Sequence, residues 1–155
     1  MTRASWLLLA ALAGCGYTTG RLYAYDALAV PIFENEDARR INEFDLTDAV
    51  VRELQANGVA VNSASARYRL EGRIVSIDQP RLAEDRDSNV IVGSFSVLVE
   101  IRVVEPATDR ELVEWINRRF AASFALGRGQ TLETARAQVF DQIAKWVMEQ
   151  LEKRW

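Results

Sequence analysis

Histidine is absent from the 155 residues, and cysteine occurs once, at position 15. The pair of shortages removes the usual nitrogen and sulfur ligands of a zinc site and excludes an internal disulfide. Lysine is also scarce, with only Lys145 and Lys153, and neither a G-x-S-x-G turn nor a Gly-rich phosphate loop is present. Nucleophilic catalysis needs Ser, Thr, Cys or Lys beside a base, and histidine, the commonest base, is missing. The expectation is a protein that is not an enzyme, a hydrolase included. Proline is limited to three residues, and no apolar run reaches the roughly 20 residues that a membrane-spanning helix requires.

A basic surface is missing as well. The formal net charge is -3, and loss of residues 1–14 with Arg3 would leave 18 cations against 22 carboxylates, or -4. Nucleic acid is therefore not an expected partner. Hydrophobic residues make up 49% and charged residues 26% of the chain, close to globular averages, so one domain with an ordinary core is expected.

The single cysteine sits in LLLAALAGCGYTTG, behind one positive charge at Arg3, an apolar stretch from Ala4 to Leu12, and the small pair Ala13-Gly14. A basic start, a short apolar segment and small residues at a cleavage point form the layout of a signal peptide, here residues 1–14. LAGC at 12–15 resembles the bacterial lipobox. Small side chains let a peptidase reach the bond before Cys15, and only a thiol can form the thioether to a diacylglycerol; the alternative is an ordinary secretion signal with an incidental cysteine. Cys15 is thus the expected lipidation site. Its covalent acyl and diacylglycerol chains, palmitate among them, are the only non-protein group expected, with no cofactor and no metal. Each buried CH2 contributes about 0.8 kcal/mol, so several chains would anchor the protein stably. Gly16 follows the cysteine where the familiar proteobacterial sorting rule has Asp for inner-membrane retention, so the expected location is the periplasmic face of the outer membrane.

Residues 15–25 read as a short lipidated tether and 26–155 as a single domain. ALAVPIF at 27–33 is rich in β-formers, and Pro31 marks it as an edge strand or a bulged one. ENEDARRINEF reads as a charged loop. From about Asn42 to Asn57 the positions Leu46, Val50 and Leu54, with Ala49, recur at helical spacing, and Gly58 stops the run. ARYRLEGRIVSID alternates, with Tyr68, Leu70, Gly72 and Ile74 on one face and Arg67, Arg69, Glu71 and Arg73 on the other. Two further β-like segments, NVIVGSFSVLVEIRVVEP and RELVEWINRRFAASFAL, flank Pro106-Ala107-Thr108-Asp109 and should form an antiparallel hairpin. Phe95, Val97, Val99, Ile101 and Val103 give the first an apolar face; Leu112, Ile116, Phe120 and Phe124 give one to the second. The last segment carries a stripe of Leu132, Ala135, Val139, Ile143, Val147 and Leu151 along a long helix, with Thr131 as N-cap. The expected class is α+β: a two-layer sandwich of a four-stranded, mainly antiparallel or mixed sheet covered by two helices, in the order β-α-β-β-β-α.

Few groups suggest chemistry. Gly127-Arg128-Gly129 reads as a hinge before a helix rather than an anion site. The acidic loops with Glu34, Glu36 and Asp37, and with Glu84, Asp85 and Asp87, lack the spacing of a calcium loop. Arg67, Arg69 and Arg73 share one strand face, with Arg118 and Arg119 late in another. Arginine binds phosphates and carboxylates bidentately, so the three are a candidate contact for an anionic lipid or a partner's acidic surface. The competing reading is a solvated sheet face with Glu71, Glu100 and Glu114 interleaved. Trp115, Trp146 and Trp155 are either interface anchors or ordinary packing residues.

CGY at 15–17, LAVPIFEN at 28–35 and LTDAVVREL at 46–54, in that order and spacing, resemble the lipopolysaccharide-assembly lipoprotein family LptE, in a divergent form. The resemblance implies a small sheet covered by two helices, held at the inner leaflet of the outer membrane. It also implies that the domain enters and plugs a large β-barrel partner, LptD, helping it to assemble and to export lipopolysaccharide to the cell surface. Lipopolysaccharide itself is then a candidate ligand, and only Cys15 carries over from the family as a site. A second reading is a lipoprotein that docks on and activates a periplasmic cell-wall synthase; a long disordered tether would support it, and the tether here is short.

Overall fold

Helix α1 (Asn42–Ala56) stops where the sequence supplies a glycine. Gly58 adopts a left-handed φ of 81°, its N–H donates to Gln55 O, and the Val59 N–H reaches back to Leu54 O. This is a Schellman motif, completed by burial of both Val59 and Leu54. Leu46, Ala49, Val50 and Leu54 form the buried stripe. The computed structural model describes residues 23–37, 42–64, 66–84, 86 and 89–152. Cys15, with the rest of the leader and most of the tether, lies outside them, as do Asp85, Asp87, Lys153 and Trp155.

The strands are β1 (Ala27–Ala29), β2 (Glu34–Asn35), β3 (Ala60–Val61), β4 (Tyr68–Asp78), β5 (Arg81–Glu84), β6 (Val90–Glu105) and β7 (Arg110–Ala125). They make one mixed sheet around β6. On one side β6 pairs antiparallel with β4, from Arg69 opposite Val104 to Asp78 opposite Ser96, and then with β5; on the other it pairs antiparallel with β7. β1 and β2 both run parallel to β4, one after the other along the same edge, and β3 lies outside β1. The four expected strands are thus the frame of the sheet, the first of them shortened to β1, and β2, β3 and β5 add short pieces to it, β2 at the start of the stretch expected to be a loop.

Pro31 has an effect other than the two expected. β1 is flanked by β3 and β4, so it is not an edge strand, and the chain leaves the ladder between Ala29 and Glu34 and rejoins it as β2. A residue without an N–H cannot continue a ladder. Phe33, in this break, is buried over Gly72, where a Cβ would overlap its ring. The glycine in β4 is therefore the floor beneath an aromatic ring, and Phe33 is fixed by donation of its N–H to Thr47 Oγ1 at 3.0 Å on α1. A register shift between Ile74 and Ser76 then turns Ile77 into the core.

Turn chemistry sets the hairpin. β6 and β7 are joined by residues 106–109, with Asp109 at φ 52°, a conformation that Asp tolerates better than most side chains. Phe95, Val97, Val99, Ile101 and Val103 are all buried, as their alternation requires. Leu112, Ile116, Phe120 and Phe124 are only half-buried, because no strand lies beyond β7 among the described residues. After a single 3₁₀ turn (Leu126–Arg128) and Gly129 at φ 72°, helix α2 (Leu132–Leu151) begins. Thr131 caps it in a reciprocal box with Thr134: each hydroxyl oxygen accepts the other residue's N–H.

Both helices cover the same face of the sheet. α2 lies against β6 and β7, and α1 packs beside α2. The buried stripe of α2 is wider than the expected one and includes Phe140, Ala144, Trp146 and Met148. An edge-on contact of Phe140 with Phe95, centroids 6.0 Å apart, and a tilted one of Trp146 with Phe120, 5.6 Å apart, tie helix to sheet. The chain enters at Tyr23, which bridges to Glu152, and the Ala24 N–H donates to Leu151 O at the end of α2. Among the described residues no helix is long and apolar enough to cross a membrane.

Candidate functional site

Among the described residues no helix covers the other face of the sheet, and the side chains there form a lattice of ion pairs. The register explains it: Arg73 on β4 stands opposite Glu100 on β6, and Glu71 opposite Arg102. Opposite charges directly across an antiparallel pair attract. Arg73 meets Glu100 at 2.5 Å and Glu36 at 3.3 Å; Arg102 meets Glu71 at 2.8 Å and Glu111 at 2.7 Å. The hydrogen bond from Arg73 to Glu100, and that from Arg102 to Glu71, raise both guanidinium pKa values above their usual range. Trp115 on β7 is enclosed by this lattice, with Arg73 at 4.5 Å and Arg102 at 4.8 Å from its ring centroid. Cation–π contact with two guanidiniums braces the indole.

Beside Trp115 is an open hollow lined by Pro31, Ile32, Gly72, Arg69, Arg73 and Arg102, with Glu34 and Glu71 at its rim. Its position follows from Pro31, since the break between β1 and β2 leaves the edge of β4 without a ladder partner there. Arg69 contributes a guanidinium 3.5 Å from Glu71.

Of the three candidate arginines, the fold brings two together. Arg69 and Arg73 line the hollow, whereas Arg67 stands at the hairpin end, paired with Glu105 and lying over the Tyr68 ring. Arg119 is held by Asp78 at 2.5 Å and by Ser96 and Ser76, while Arg118 lies over Phe120. Trp146 is core and Trp115 is on the open face. Of the acidic loop residues, Glu36 pairs with Arg73, and the Asp37 carboxylate accepts the Ile77 N–H at 3.0 Å. Among the described residues no group of three His, Cys, Asp or Glu could hold a metal ion. Arg102 was not singled out by the sequence; Glu100-Ile-Arg102 alternation signalled a charged face, but only the β4–β6 register shows what Arg102 meets.

A surface of this kind is suited to binding, with planar guanidinium donors around an aromatic plate. The model of the family described as LptE, Lipopolysaccharide-assembly, matches residues 25–154. Among solved structures, a minor lipoprotein from Acinetobacter baumannii is similar with a TM-score of 0.56 and 18% identity, over 83% of this chain and 92% of that one. Rare lipoprotein B from Shewanella oneidensis gives 0.54 and 17%, over 80% and 92%. An uncharacterized lipoprotein B from Nitrosomonas europaea gives 0.59 and 11%, over 87% and 88%. At these identities the likeness is one of fold. No curated protein matches the sequence.

Proposed function

The chain belongs to the LptE lipopolysaccharide-assembly family, and from that premise we propose that it is an outer-membrane lipoprotein, lipidated at Cys15, that assembles with and plugs a β-barrel of the LptD type for lipopolysaccharide export. The observation that carries the reading is the extent of the family match, 25–154, which takes in all seven strands and both helices of the described residues. The lipobox at 12–15 supports the anchor. The lattice on the open sheet face supports the plug, because a surface of paired charges can exchange hydrogen bonds with the polar interior of a large barrel. The protein acts by binding and is not an enzyme.

The test is extraction of outer membranes in mild detergent with a tagged full-length chain, followed by mass spectrometry of what copurifies. A large β-barrel in equal amount is the expected result. A cell-wall synthase in its place, or no partner, overturns the reading.

A further inference from the structure

The hollow beside Trp115 has two unmet demands at one place. Arg73 and Arg102 each hold two carboxylates, but among the described residues Arg69 reaches only Glu71, at 3.5 Å, and that carboxylate already accepts from Arg102. Ile32, a large aliphatic side chain lining the same hollow, is 54% exposed. One group lacks a close carboxylate and the other lacks apolar cover. Trp115 lines the same hollow and already contacts two guanidiniums, so its order costs little on binding, and Trp and Arg are the residue types that dominate interface energetics.

We propose that this hollow is where the barrel partner grips the domain, receiving an acidic side chain against Arg69 and a neighbouring apolar side chain against Ile32 and Trp115. The inference deepens the proposed function and rests on it. Charge selects this face over the other. The two helices opposite carry seven carboxylates against three cations and would repel an acidic segment, whereas around the hollow three arginines face two glutamates. The occupant is a protein segment because the demand is for one carboxylate with one apolar neighbour. A lipid with several acyl chains would need an apolar area that Ile32 and Trp115 do not provide.

The full chain, carrying the photocrosslinker p-benzoylphenylalanine at position 32, is irradiated in its own outer membranes; a second copy carries it at position 44, where Phe44 is 56% exposed on α1. The expected result is a covalent adduct from position 32 to a barrel peptide containing Asp or Glu, with its yield reduced five-fold or more by Arg69→Glu and unchanged by Arg52→Glu. Thermal melting of each variant establishes that the fold is intact. Adducts to the barrel from position 44 but not 32, adducts from 32 that ignore Arg69→Glu, or adducts to lipid overturn this inference and leave the plug reading standing. Failure of any barrel to copurify with the unsubstituted chain overturns the reading itself.

Discussion

The Arg102 guanidinium sits 4.8 Å from the centroid of the Trp115 ring, a contact between neighbouring strands β6 and β7 at the point where their register shifts by one residue between Ile101 and Val103. The bulge re-aims the side chains of β7, so that Trp115 lies on the open face between Arg102 and Arg73. A double-mutant cycle with Arg102→Met and Trp115→Leu should give a coupling of about 0.5–1 kcal/mol in urea unfolding. Additive losses would mean that the two merely lie near each other.

Gly72 is expected to be intolerant of even one methyl group. Gly72→Ala must displace the Phe33 ring, and overpacking of this kind costs about 1–3 kcal/mol. In a Phe33→Leu background the same substitution should cost distinctly less. Equal cost in both backgrounds would assign the effect to strand backbone rather than to the ring.

Two positions prepare the start of α2. Thr131→Ala removes the acceptor for the Thr134 N–H and should lower stability by about 1 kcal/mol. Gly129→Ala should cost a similar amount for another reason, since φ is 72° and open space surrounds the site. The check is thermal unfolding of both single variants and the double. The two changes leave different side chains and backbone angles unsatisfied.

Glu105 gives the fold a defined acid sensitivity. The hydrogen bond from Thr108, then that from Arg67, hold its carboxyl below the ordinary glutamate range. A carboxylate with a depressed folded pKa contributes fully above its unfolded value of about 4.3, and that contribution is lost as pH falls through the lower folded value. Urea midpoints measured from pH 6 down to pH 3 should therefore fall less steeply for Glu105→Gln than for the unsubstituted chain. Parallel curves would show that Glu105 titrates as it does in the unfolded chain.

Cys15→Ser should abolish labelling by radioactive palmitate and release the chain from washed outer membranes, with the melting temperature of the domain unchanged. Retention in the membrane after this change would mean that the barrel, rather than the lipid, supplies the hold.

The sequence by itself determined the local elements, because their signals are local. Leu46, Val50 and Leu54 with Gly58 define α1, Thr131 and the stripe to Leu151 define α2, and alternation from Phe95 to Val103 with the turn at 106–109 defines the hairpin and its buried side. The segments LAVPIFEN and LTDAVVREL, which carried the family resemblance, were likewise legible as contiguous residues. Tertiary structure alone decided the order in which strands lie side by side and the register between them. Nothing near Pro31 in the chain indicates that β1 and β2 would line one edge of β4, or that Phe33 would fill the space over Gly72. Arg67, Arg69 and Arg73 alternate identically in the sequence, yet only the last two reach the Trp115 hollow, because the partners of a β-strand side chain come from residues about 30 positions away whose register is set by packing. Surface charge on a strand is thus readable as a face, and its role only as a contact.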